Sequence, residues 1–251
     1  MNTLMPESPE YRDRPAVSQD IFTSPISLGE VANPTIMQGS GIRICTSAQG
    51  LSAINAPGNE LVICRRSIPF CVTEWLKKMA PSQLPALRIL VSRANVREAL
   101  ESELDAFGMA SGRTRDAFIA DIADLVSVFA GITRQDLLDV RLDRIEHDAC
   151  WKFHKDSVEI RLLTTYRGET TEWISPQFAD RALREQKDYD GPLESLRQHD
   201  VAIFRGKHAN SADGIVHRSP PIAGTGSVRL LLCLNAPSIV SPEQWRAERR
   251  A

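Results

Sequence analysis

The residues best suited to chemistry are His154 and Asp156, two positions apart in Cys150-Trp151-Lys152-Phe153-His154-Lys155-Asp156, and His217, far downstream in Gly214-Ile215-Val216-His217-Arg218-Ser219-Pro220-Pro221. Two histidines and a carboxylate from distant parts of a chain are the donor set of a facial metal triad, which suits non-haem Fe(II) with open coordination positions. H-x-D alone carries little: with five histidines in 251 residues it arises by chance roughly 0.3 times. Strand geometry adds weight. Residues two apart on an extended backbone point to the same side, so one strand end can supply both His154 and Asp156. His217 closes a short strand-like run, Ile215–His217, and Pro220-Pro221 fixes the exit of the chain behind it. The plain alternative is that these are three structural polar residues.

Arg229 opens the apolar run Val228–Leu234. Alternation puts Arg229, Leu231 and Cys233 on one face and Val228, Leu230, Leu232 and Leu234 on the other. A guanidinium on so apolar a strand calls for an anion, and a bidentate carboxylate is the natural one. It can come from a protein Asp or Glu or from a bound organic acid. Arg161, mid-strand beside Glu159 and Leu163, is a second candidate for an anion clamp or a structural ion pair. Trp151 and Trp173 can wall a pocket or belong to the core. His147, Cys150 and His154 mimic a zinc-site spacing, but a strand spreads them over both faces. His199 and His208 read as loop histidines.

Elements must position these groups. Residues 1–20, rich in Pro, Ser and charge, read as a mobile leader. Ile42–Cys45 and Leu61–Cys64 are short strands among loops, Cys71–Met79 a short helix, and Leu87–Val91 a β-like run. Asn95 with Glu98 three positions on has capping-box spacing for a helix running to about Phe107. Thr114 can cap a second, on which Phe118, Ile122, Leu125, Val126 and Phe129 form one stripe. From Leu138 onward strand-length runs dominate: Val140–Ile145, Val158–Tyr166, Thr171–Ile174, Val201–Phe204, Ile215–His217 and Val228–Leu234. A polar, partly helical insertion at 177–198 interrupts them. With the His208–Gly214 loop, it is expected to shape a substrate entrance.

Charged residues make up 25% of the chain and the formal net charge is −2, so no concentrated basic face marks a nucleic-acid or membrane surface. Arg246, Arg249 and Arg250 read as a solvated tail. Five cysteines without a C-x-x-C pair, no apolar run of membrane-spanning length and no secretory start together favour reduced thiols in a cytoplasmic protein.

The succession V-x-L-x-R-I, W-K-F-H-K-D, R-L-L-T-T-Y, T-E-W, D-V-A-I-F-R-G, H-R-S-P-P-I and R-L-L-L resembles the core of the Fe(II)/2-oxoglutarate dioxygenases, above all the prolyl-hydroxylase-like branch. The resemblance implies a metal triad of His154, Asp156 and His217, with Arg229 on the distal carboxylate of 2-oxoglutarate. Tyr166 would help to hold the same cosubstrate, although a tyrosine at a strand end more often packs and makes one hydrogen bond. Arg229 follows His217 by twelve residues, where about ten is usual, and the loop after Tyr166 is short. At closer range C-W-K-F-H-K-D, R-L-L-T-T-Y-R-G, T-E-W and V-H-R-S-P-P are similar to an uncharacterised bacterial family, domain of unknown function 1826, over most of the chain after the leader. Association of that family with zinc-homeostasis genes makes Zn(II) the alternative metal.

The expected architecture is α+β: a double-stranded β-helix (jelly roll, cupin-like) with supporting N-terminal helices. It would form a single domain over 21–251, with helical support about 70–132 and a β core about 138–235. The expected function is an Fe(II)/2-oxoglutarate-dependent oxygenase acting on an unknown small-molecule or protein substrate, without nucleic-acid or membrane partners. A non-enzymatic, zinc-handling protein on the same scaffold is the alternative.

Overall fold

Val201–Arg205 and Arg229–Asn235 are apolar on both parities, so strands made from them need cover on both faces. That need shapes the computed structural model, which describes residues 35–36, 41–207 and 214–247. The expected leader, His208 and Arg249–Arg250 lie outside the described residues, and the described residues form one compact unit. In chain order the elements are β1 (Thr35–Ile36), β2 (Ile42–Cys45), β3 (Leu61–Cys64), α1 (Phe70–Lys78), β4 (Leu87–Ser92), α2 (Val96–Ala106), α3 (Arg113–Thr133), β5 (Leu137–Ile145), β6 (Ile160–Arg167), β7 (Glu172–Trp173), α4 (Ala179–Glu185), β8 (Glu194–Ser195), β9 (Val201–Arg205), β10 (His217–Arg218) and β11 (Arg229–Asn235).

Eight strands form one sheet in the order β1-β2-β3-β9-β6-β11-β5-β4, and β10-β7-β8 form a second, three-stranded sheet. The class is therefore α+β with a large sheet. The N-terminal part is more than helical support, because β1 to β4 all join the large sheet. Local pattern could not place them there, since partnership is decided across the chain.

One face of the large sheet carries Val62, Val91, Val140, Leu162, Ile203, Leu230 and Leu232, and it packs on Val72, Leu76, Leu100, Phe118, Ile122 and Phe129 of α1, α2 and α3. Ile63, Ile145, Leu163, Ala202, Phe204, Leu231 and Cys233 on the opposite face pack with Trp173 of the small sheet and with Leu196, just after β8. The helical stripe read from the sequence is thus the lid of the first face.

Helix starts differ in detail. Asn95 precedes α2 but its side chain makes no capping bond. Helix α3 begins at Arg113, because the Gly112 carbonyl accepts the first helical bond from Asp116, which leaves Thr114 inside the first turn rather than at the cap. The cysteines are all free, and no described helix is long and apolar enough to cross a membrane.

Candidate metal centre

His154 lies outside any regular strand and is held by one antiparallel bridge to His217, in which each amide donates to the other residue's carbonyl at 3.0 Å. His217 begins β10 instead of ending a strand, and it pairs on its other side with Trp173. The triad therefore rests on three laterally aligned segments, His154, His217 and Trp173. Their ligand atoms meet: one from each of His154, Asp156 and His217 lie within 4.8 Å of one another. The two imidazole centroids are 4.6 Å apart. Asp156 approaches His154 Nε2 to 3.8 Å with Oδ1 and His217 Nε2 to 3.5 Å with Oδ2.

Backbone carbonyls set the imidazoles. His154 Nδ1 lies 2.8 Å from the Lys152 carbonyl and His217 Nδ1 lies 3.1 Å from that of Ile215. A carbonyl only accepts, so Nδ1 carries the hydrogen in both rings, and Nε2 keeps its lone pair for a ligand. Asp156 is buried. Its Oδ1 accepts from Arg161 Nη1, while Oδ2 has no hydrogen-bond partner among the described residues. Behind it the chain is packed backbone to backbone. A Cβ on Gly206 would sit 2.7 Å from the Asp156 carbonyl and 2.1 Å from that of Val158, so only glycine fits there.

Burial holds His217 down to about 4, so the ring is neutral at pH 7. An ordinary histidine titrates near 6.5. Between those values the unfolded chain binds a proton that the folded, metal-free site refuses. Stability is then complete above pH 6.5 and falls as the pH drops toward 4, by about 3 kcal/mol in total. His199, also pushed down by burial, adds in the same direction. Urea unfolding of the metal-free protein at pH 7 and pH 4.5 measures the slope, and His217→Gln is expected to flatten it. An unchanged slope in that variant would contradict the assignment.

Arg229 is fully buried on the triad's side of the large sheet, where it pairs with Ile145. Its Nε donates to the Glu169 carbonyl at 2.7 Å, but Nη1 and Nη2 are buried without a hydrogen-bond partner among the described residues. Burial lowers it to about 10, which leaves it charged at neutral pH. Two more orphans share this side: the Thr165 hydroxyl, whose residue pairs with Leu231, and the indole Nε1 of Trp173, packed in the same cluster. Ile145, Cys150, His154, Arg161, Leu231 and His217 line a cavity of about 220 Å³. Thr165 and the indole donor were not singled out as polar groups from the sequence. The strand parity that puts Thr165 level with Arg161 and Leu163 was the available signal.

Two expected cosubstrate residues are otherwise engaged. Tyr166 faces the helices, with its ring edge-on to Phe118 at 4.8 Å and its hydroxyl donating to Asp121 Oδ2 at 2.5 Å. Five positions separate it from Arg161, so the pleat turns the two to opposite faces. Arg161 does line the cavity, but its guanidinium is engaged by Asp156 and by Asn235 Oδ1, which makes it the structural ion pair of the two readings. Tyr166→Phe is therefore expected to cost about 2 kcal/mol of stability, the worth of a hydrogen bond to a charged group. It should leave 2-oxoglutarate affinity unchanged, which denaturation and calorimetry report separately. The zinc-like string is not assembled either: among the described residues, His147 and Cys150 join no metal-competent cluster.

No curated protein sequence matches the chain. Among solved structures it is similar to the dioxygenase for auxin oxidation 1 of Arabidopsis thaliana in a complex with 2-oxoglutarate, at 11% identity and a TM-score of 0.36 over 71% of this chain and 76% of that one. A bsmA homolog from Methylobium petroleophilum matches at 11% identity and a TM-score of 0.36 over 76% and 95% of the two chains. A Pseudomonas putida prolyl-4-hydroxylase matches at 12% identity and a TM-score of 0.30 over 68% and 97%. The family model for the protein of unknown function DUF1826 matches residues 46–235. The sequence strings, that match and the site they enclose agree: the chain belongs to the DUF1826 family.

Proposed function

We propose that this protein is an Fe(II)- and 2-oxoglutarate-dependent oxygenase built on a double-stranded β-helix, with the large and small sheets as its two walls. The observation that carries this reading is Arg229, a charged side chain with both terminal nitrogens orphaned on the triad's side of the sheet. An unpaired buried charge is costly, and a bidentate carboxylate is the partner that would relieve it. The Thr165 hydroxyl and the Trp173 indole are two further groups on that side of the sheet that are unpaired among the described residues.

His154, Asp156 and His217 fit a divalent metal on their own chemistry: two imidazole nitrogens and one free carboxylate oxygen, all from one side. When bound, iron with a 2-oxo acid supplies oxygen activation for hydroxylation of a C–H bond. The chain's own work is to orient and to exclude water. The Lys152 and Ile215 carbonyls hold the rings, Arg161 turns Asp156, and Ile145, Leu163 and Leu231 supply an apolar part of the cavity lining. No side-chain general base is assigned. Two imidazoles and a carboxylate are also a zinc donor set, so Zn(II) is the competitor in the titration, and the orphaned Arg229 guanidinium is what favours the 2-oxo acid reading.

The test is anaerobic titration of metal-free protein with Fe(II), then calorimetry with 2-oxoglutarate, then succinate release on admitting air. Iron-dependent binding of the 2-oxo acid is the expected result. Tight Zn(II) binding with no affinity for 2-oxoglutarate would overturn the oxygenase reading.

A further inference from the structure

The insertion at 177–198 reads from the sequence as a rim for substrate, yet the apolar contacts of its first part point to the backs of the histidine segments. Ala179 and Ala182, with Phe178, Leu183 and Tyr189, pack on Phe153, Ile174 and Val216. Phe153 and Val216 each immediately precede a candidate ligand, and Ile174 follows Trp173. The insertion thus fills a small core directly behind the three aligned segments.

One side chain in it makes a particular set of bonds. Gln186 Oε1 accepts from the Phe153 amide at 2.9 Å, and Nε2 donates to the Phe153 carbonyl at 3.0 Å and to that of Leu183 at 2.9 Å. His154 spends its own amide and carbonyl on His217, so those of Phe153 point to the other side, where no strand of the described residues runs. The Gln186 amide takes the place of that strand. Its backbone is at φ 53° and ψ −111°, a combination suited to glycine and uncommon for a long side chain. Such a conformation persists only where the surroundings over-determine it, and here they do so next to the site. The Phe153 ring is held too, edge-on to Tyr189 at 5.5 Å and beneath the Arg218 guanidinium at 4.2 Å.

We infer that Gln186 is a positioning residue of the metal centre: its amide acts as a one-residue surrogate strand that fixes Phe153 and thereby the adjoining His154 imidazole. His154 has the greatest need of it. Its side chain is 35% exposed against 3% for Asp156 and 4% for His217, and among the described residues one isolated bridge is its only ladder. The inference rests on the reading of the triad as a metal centre.

Co(II) is the probe, because its absorption reports ligand geometry as well as affinity. The full chain is compared with Gln186→Leu, which keeps bulk and loses the amide, and Gln186→Gly, which suits the backbone and loses the amide. A third variant, Leu183→Ala, thins the same core without removing the clamp. Both Gln186 variants are expected to bind Co(II) about 10–100-fold more weakly and with an altered spectrum, the usual effect of losing a group that orients a metal ligand. Leu183→Ala should stay within about threefold of the parent while losing thermal stability. Gln186→Gly should melt no lower than Gln186→Leu, and it carries the test if the leucine variant does not fold. Parent-like Co(II) binding in both Gln186 variants, or equal weakening in Leu183→Ala, would overturn the positioning role alone. Failure of the parent to bind Co(II) would remove the metal reading and this inference together.

Discussion

Asp156→Ala is expected to abolish Fe(II) binding at micromolar protein, and His154→Ala and His217→Ala to weaken it by on the order of 100-fold or more. Structural metal sites bind with about 10–16 kcal/mol shared among four ligands, or roughly 3 kcal/mol each. That is about two decades of affinity per ligand. Asp156 carries more than its share because it alone brings negative charge, and because Arg161 leans on it. Without that carboxylate, two imidazoles alone would face a cation beside a guanidinium that has lost its carboxylate partner. Asp156→Asn keeps the shape and loses the charge, so it should fall on the side of the alanine variant. Anaerobic equilibrium titration with Fe(II) or Mn(II) measures all of these. Full affinity in all three alanine variants would refute the triad.

Arg229→Met should move two observables in opposite directions. In the metal-free protein it removes a buried charge whose terminal nitrogens have no partner among the described residues, at the loss of one bond to the Glu169 carbonyl. Replacing such a charge by an apolar side chain of similar length is often neutral or stabilising by about 1–4 kcal/mol. Affinity for 2-oxoglutarate should meanwhile drop by more than about 30-fold, since removing one partner of a buried charge-assisted pair costs about 2–5 kcal/mol. Fe(II) affinity should be retained, because Arg229 belongs to no ligand set. Urea denaturation, calorimetry with 2-oxoglutarate and metal titration are read on the same sample. A variant that is less stable and still binds 2-oxoglutarate would make Arg229 a structural residue.

Much of the framework could be read because it is set by local pattern. The runs Val201–Phe204 and Val228–Leu234 became strands β9 and β11 within a residue, since both faces of the large sheet are covered and the chain there is apolar throughout. The parity of β11 was also legible, and Arg229 lies with Leu231 and Cys233 as alternation requires. That same rule, applied to β6, separates Tyr166 from Arg161, and family likeness was a poorer guide than the pleat. Residues 177–198 were legible only in part, for another reason. Polarity marks a segment as surface but says nothing of what its few apolar side chains and one glutamine reach.

The sequence by itself determined the donors, the parities and the apolar runs, because side-chain type and the periods of strand and helix are properties of neighbouring residues. Tertiary structure alone decided that His154 pairs with His217, that Asp156 and Arg161 share a bond, and that Arg229, Thr165 and Trp173 keep unpaired polar atoms on one side of the sheet. Apart from Asp156 and Arg161, five positions apart, those are relations between distant parts of the chain. They exist only once the sheet order has been fixed by burying both of its faces, and no local rule of the chain contains that order.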